Sequence, residues 1–140
     1  DLSGRRAVVT GANTGIGQGI AVALAQAGAE VVAVGRSSMA DTEAKIAAIG
    51  GKCVPQAADL SGMDVVDTLV PDVWDRLGPI DILVNNAGII RRADAVDFSE
   101  QDWDAVMDLN VKAAFRLSQA LARKVFAAGR QARIVKHFLC

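Results

Sequence analysis

Tyrosine is missing altogether from the 140 residues, and histidine occurs once, as His137. Chemistry that needs a phenol as acid or base therefore has no residue here to supply it. Cysteine occurs twice, as Cys53 and Cys140. Two cysteines with no metal-ligand spacing make neither a disulfide framework nor a metal site, and they suit a reducing compartment. No apolar run approaches the ~18 residues of a transmembrane span, and no basic and apolar leader pattern opens the sequence. The expected location is the cytoplasm. Charge of one sign is also lacking: 15 Lys and Arg face 16 Asp and Glu, for a net charge of -1. So balanced a chain offers no field for nucleic acid or an acidic membrane. Linkers, repeats and low-complexity stretches are absent as well.

What is present is a 51% hydrophobic, 22% charged chain, the balance of a packed single domain. Short β-branched runs alternate with helical patterns. Strands are expected at Arg6–Thr10, Glu30–Gly35, Cys53–Ala57, Asp81–Asn85 and Arg133–Lys136. Their nearly continuous apolar content marks strands covered on both faces. Helices are expected at Gly15–Ala27, Asp41–Ile49, Met63–Leu77 and from about Asn110 to Ala128. A shorter one should start after Ser99, whose hydroxyl stands three residues before Asp102 in a near capping box. Trp103 and Met107, four apart on that helix, read as core residues. The alternation gives an α/β fold, a doubly wound parallel sheet of Rossmann type carrying its first five strands only.

The strongest local pattern is Thr10-Gly11-Ala12-Asn13-Thr14-Gly15-Ile16-Gly17, between the first strand and the first helix. A pyrophosphate needs close backbone approach, open N–H groups and the positive end of a helix. Gly11 permits a tight turn, Gly15 keeps a Cβ away from phosphate, and Gly17 allows close packing of the helix on the strand. The loop is not a Walker A motif, because Gln18 and Gly19 follow Gly17 where Lys and Ser or Thr would be required. Its G-x-x-x-G-x-G spacing also differs from G-x-G-x-x-G.

That spacing, with its leading Thr, resembles the short-chain dehydrogenase/reductase family. Three later segments strengthen the resemblance, which runs from residue 2 to about 135. Asp59-Leu60 is similar to the family's adenine-contacting site. Asn85-Asn86-Ala87-Gly88 is similar to its N-N-A-G motif, which steadies the sheet and lines the cofactor cleft. Asn110, in Leu109-Asn110-Val111, matches the Asn of its catalytic tetrad. The resemblance implies an NAD(P)-dependent oxidoreductase, with the cofactor held by Gly11, Asn13, Thr14, Gly15, Ile16 and Gly17. Asp59, Leu60, Asn86, Ala87 and Gly88 would complete its site. Family members that prefer NAD usually carry Asp at the end of the second strand. Gly35 stands there, followed by Arg36 and Ser37, which favours NADP through a pairing of Arg36 with the 2′-phosphate and leaves NAD open.

The segments around Arg91-Arg92 and Asp102–Met107 are similar to a branch of the family that interconverts hydroxyl and ketone on sugar acids such as 2-deoxy-D-gluconate. Arg91 and Arg92 are candidates for a substrate carboxylate, with a surface or interface role as the alternative. The resemblance further implies homo-oligomers, since the long helix and the one after it meet across a dimer interface in the family. It also implies a Ser after the fifth strand and a Tyr-x-x-x-Lys beyond it. The sequence instead continues Lys136-His137-Phe138-Leu139-Cys140. The expectation is an incomplete dinucleotide-binding domain over residues 1–135 and an aberrant tail over 136–140, from a shifted frame or early stop. Of the tetrad only Asn110 is present. Three readings stay open: a sugar-acid oxidoreductase portion, a nucleotide-binding module without turnover, and a fragment that binds nothing.

Overall fold

The computed structural model of the chain describes residues 1–138, so Leu139 and Cys140 of the expected tail lie outside the described residues. Five strands form one all-parallel sheet: β1 (Arg6–Thr10), β2 (Glu30–Gly35), β3 (Lys52–Ala57), β4 (Ile82–Asn85) and β5 (Arg133–Lys136). Their order is β3-β2-β1-β4-β5. Helices α1 (Gly15–Gln26), α2 (Ala40–Ala48) and α3 (Met63–Leu77) separate the first four strands. α4 (Glu100–Met107) and α5 (Ala114–Ala127) lie between β4 and β5. Among the described residues no helix is long and apolar enough to cross a membrane.

Alternating valines on the central strands send side chains to two separate cores. Val8, Val32, Val34 and Leu83 pack with Val66, Val70 and Val73 of α3 and Leu117 and Leu121 of α5. Val9, Val31, Ala33 and Val84 pack with Ala21 and Ala25 of α1 and Ile46 of α2. Helices thus cover both faces, which is why the inner strands read as unbroken apolar runs. Pro55 sits in β3 without disrupting the sheet because β3 is an edge strand.

Two expectations are corrected on the far side of β4. The short and long helices are not separate elements: α4 runs into α5 through a π-helical turn at Asp108–Ala113, whose flanking residues keep right-handed helical dihedrals. Ser99 caps this composite helix as expected, its Oγ accepting from the Asp102 N–H at 3.0 Å. Trp103 and Met107 are not core residues; Trp103 is 58% exposed and Met107 also faces solvent. The apolar side that does reach the core begins at Leu109, partly buried, and continues through Ala113, Leu117, Leu121 and Val125, where α5 lies on α3. Ion pairs of Arg116 with Asp67 and of Lys124 with Asp75 flank that contact.

Part of the expected tail continues the sheet. Lys136 pairs with Asn85 in register, and the His137 N–H donates to the Asn85 carbonyl at 3.1 Å.

Candidate functional site

The strand order reverses between β1 and β4, so the loops leaving their C-terminal ends diverge and open a crevice. Open parallel sheets take ligands at such a point. The hinge of the crevice is Thr10, the last residue of β1. Its buried Oγ1 accepts from the N–H groups of Asn86 (3.0 Å) and Ala87 (2.9 Å) and donates to the Val84 carbonyl at 3.4 Å. One hydroxyl therefore ties the start of the glycine loop to the Asn85–Gly88 segment. Asn86 reinforces the tie through Nδ2, which donates to the Gly11 carbonyl at 3.3 Å.

The glycine loop then enters α1 in a geometry suited to an anion. Thr14 precedes the helix in extended conformation and makes no side-chain cap, and no acidic residue occupies the first turn. α2, α3 and α4 all carry acids in their first turns. The leading N–H groups of α1 are thus left to a ligand, with the helix dipole behind them. Gly15 has φ +58, and a Cβ there would meet nothing within 4 Å. That is the space a phosphate would use. Gly17 differs: a Cβ would run into the Gly11 carbonyl and Asn86 Nδ2. It therefore lets α1 close on the loop and the β4 exit, whereas the sequence suggested packing on the strand.

A cleft of about 480 Å³ opens beside this loop. Gly11 and Asn13 line it from the glycine loop, Gly35, Arg36 and Ser37 from the end of β2, and Asp59 and Leu60 from the end of β3. Ala87, Gly88 and Arg91 close the side beyond β4. Sequence positions from four separate loops thus converge as expected. Asp59 is exposed; hydrogen bonds from the Ser61 side chain (2.7 Å) and N–H (3.0 Å) hold its carboxyl below the usual range. Thr14 and Ile16 are exposed and do not line the cleft, while Asn86 sits beneath the loop. A concavity of about 500 Å³ at the other end of the strands, lined by Arg6, Glu30 and Lys52, sits against the C-terminal ends of α1 and α2. Helix C-termini repel anions, so an anionic ligand is better suited to the cleft at the glycine loop.

Asn110 lies in the π turn, and both ends of its carboxamide are engaged by one residue. Oδ1 accepts from the Ile89 N–H at 2.8 Å, and Nδ2 donates to the Ile89 carbonyl at 2.9 Å. The side chain fixes the path of the chain leaving β4. Arg91, half exposed at the cleft wall, is steered by Asp102 of α4 at 3.5 Å, whereas Arg92 is exposed and does not line the cleft. Thr10, Gln18, Thr42 and Asp102 are contributors that sequence reasoning did not assign to the site. The available signal for Gln18 was a polar residue on the stripe of Ala21 and Ala25, the buried side of α1.

A doubly wound sheet with a glycine-lined cleft at its switch point is the arrangement in which open α/β sheets take nucleotides. The model for short chain dehydrogenase matches residues 5–137. The chain is 46% identical over 134 residues to 2-dehydro-3-deoxy-D-gluconate 5-dehydrogenase of Escherichia coli, covering 96% of this chain and 53% of that protein. It is also 46% identical over 131 residues to gluconate 5-dehydrogenase of Gluconobacter oxydans, covering 92% and 51%. A crystal structure provisionally identified as a 2-deoxy-D-gluconate 3-dehydrogenase from Agrobacterium tumefaciens, with bound NADP, superposes with a TM-score of 0.90 at 50% identity. That match covers 97% of this chain and 53% of the other. The chain belongs to the short chain dehydrogenase family and spans about half the length of the relatives it matches.

Proposed function

We propose that this chain binds NADP in the cleft between β1 and β4 and is the nucleotide-binding portion of an oxidoreductase. The substrate class would be sugar acids, with reaction at a hydroxyl or ketone. Residues 1–135 form the nucleotide-binding domain in this reading, with Lys136 closing β5 and 137–140 following it. The cytoplasm is the proposed location. The observation that carries the cofactor assignment is the glycine loop, with an uncapped, acid-free α1 behind it, facing Arg36 across one cleft. The residues present fit a dinucleotide phosphate: an open space over Gly15, helix N–H groups, and a guanidinium for the 2′-phosphate. When bound, the nicotinamide would give a hydride to a ketone in its reduced form or take one from a hydroxyl-bearing carbon in its oxidised form. The chain's own residues hold the pyrophosphate at Gly11–Gly17, the ribose phosphate at Arg36 and Ser37, and the adenine beside Asp59 and Leu60. Since Ser61 engages Asp59 Oδ1, the adenine amine would be met by Oδ2. Arg91 is the candidate for the substrate carboxylate. The names of the sugar-acid dehydrogenases among the relatives support the substrate class.

Arg36→Asp tests the cofactor assignment. Removing the cation and placing a ribose-hydroxyl acceptor should move preference from NADP towards NAD in competition titrations. An unmutated chain that already prefers NAD refutes the role of Arg36.

Absence of tyrosine from the 140 residues favours a second reading, a binding module without turnover. Self-association belongs to either reading. Trp103, Met107, Val111 and Phe115 are spaced by four along the composite helix and are all exposed, Phe115 by 64%. Leu117, Leu121 and Val125 are covered by α3 and take no part. A second copy packing on this stripe would cover it. Sedimentation should show dimers or larger species at tens of micromolar, shifted towards monomer by Phe115→Glu; a clean monomer contradicts the proposal.

A further inference from the structure

We infer that Gln18 and Thr42 form a buried positioning bridge that holds the glycine loop ready for a dinucleotide pyrophosphate, an inference that rests on the cofactor reading above. Gln18 lies in the first turn of α1 and is 9% exposed; Thr42, on α2, is fully buried. Thr42 Oγ1 donates to the Ala12 carbonyl at 2.7 Å. Gln18 Nε2 reaches the Asn13 carbonyl at 3.0 Å, Thr42 Oγ1 at 3.0 Å and Asp41 Oδ2 at 2.9 Å. Gln18 Oε1 accepts from Lys45 Nζ at 3.0 Å. Two consecutive carbonyls of the loop are thereby turned inward to side chains.

Peptide planarity gives this its consequence. In a trans peptide the N–H points opposite to the C=O. With the Ala12 and Asn13 carbonyls held inward, the N–H groups of Asn13 and Thr14 point away from the bridge. An anion over the loop then meets N–H dipoles, with the repelling oxygens withdrawn. Without the bridge, either peptide is free to rotate and present a carbonyl to the phosphate. The bridge's hydrogen bonds to the backbone fall on the glycine loop alone, and none reaches Arg36 or Ser37.

The test uses the 140-residue chain and two probes, NADPH and adenosine 2′-monophosphate, which carries the 2′-phosphate end but no pyrophosphate. Thr42→Val and Gln18→Met keep shape and remove the polar groups. Each should weaken NADPH about tenfold, the worth of one oriented buried hydrogen bond, and leave adenosine 2′-monophosphate essentially unchanged. Thr42→Ser, which keeps the hydroxyl, should bind both probes like the parent chain. Unchanged NADPH affinity, or equal losses for the two probes, overturns the bridge while the cofactor reading survives. Failure of the parent chain to bind NADPH overturns that reading and the bridge with it. If the buried variants do not fold, Lys45→Met decides, because Lys45 is exposed and meets the bridge from outside, at Gln18 Oε1 (3.0 Å) and Asp41 Oδ2 (3.5 Å). It should show the same split between probes at smaller size, and no split there overturns the inference.

Discussion

Gly15→Val should weaken NADPH binding by at least tenfold, about 1.4 kcal/mol, while the fold survives. Two separable effects contribute. The backbone at Gly15 is left-handed, φ +58, so any side chain costs about 1–2 kcal/mol of strain. The side chain itself would enter the open space over the loop, since a Cβ there meets no protein atom within 4 Å. Gly15→Ala carries the strain with the least bulk and is the control. The valine variant should lose clearly more affinity than the alanine variant at similar melting temperature, read by NADPH fluorescence titration. Equal affinity in the parent chain and the valine variant would remove this loop from the binding site. Gly17→Val is a poorer probe, because its Cβ would strike the Gly11 carbonyl and Asn86 and damage the loop directly.

The second large effect is expected in catalysis. With 2-keto or 5-keto sugar acids, the 140-residue chain should not consume NADPH, followed by the near-ultraviolet absorbance of the reduced nicotinamide. Reduction of a ketone builds negative charge on its oxygen and needs a proton donor within reach. General acid help alone supplies about 10²–10⁴-fold, and positioning contributes more. No tyrosine exists in the sequence to serve. The Asn110 carboxamide is committed at both ends to Ile89. Cys53 lies in β3, and burial, helped by Glu43, pushes its thiol up to about 11, so it is no nucleophile near neutral pH. His137 and Lys136 remain at the end of β5, held to Asn85 by backbone pairing. Robust turnover, lost on His137→Ala, would show that the end of β5 supplies the missing acid.

The parts legible in the sequence were those set by local rules. All five strands fall within a residue of their expected bounds, the three inner ones because strands buried on two faces need apolar residues at nearly every position. The convergence of Gly11, Arg36, Asp59 and Gly88 on one cleft was also legible, since each closely follows a strand of the same sheet and parallel strands end on the same side. What escaped was the pairing of residues across elements. Thr42 meets the Ala12 carbonyl only because α2 returns over α1, and nothing in either local pattern marks the other. The π turn escaped because one extra residue per turn barely disturbs a helical pattern. Trp103 was misread because an apolar pair four apart is the same whether it faces the core or solvent.

Thr10 shows how a single oxygen narrows the mutational freedom of a site. It is buried at the end of a strand of valines, and by shape Val would be its natural replacement. Yet Val would leave the Asn86 and Ala87 amides without their acceptor in a place water does not reach. Ser keeps the acceptor at the loss of one methyl. In a saturation library, position 10 should therefore tolerate Thr and Ser and little else, a polar requirement inside an apolar strand. Its neighbours Val8 and Val9, which only fill space, should accept a wider set of aliphatic residues.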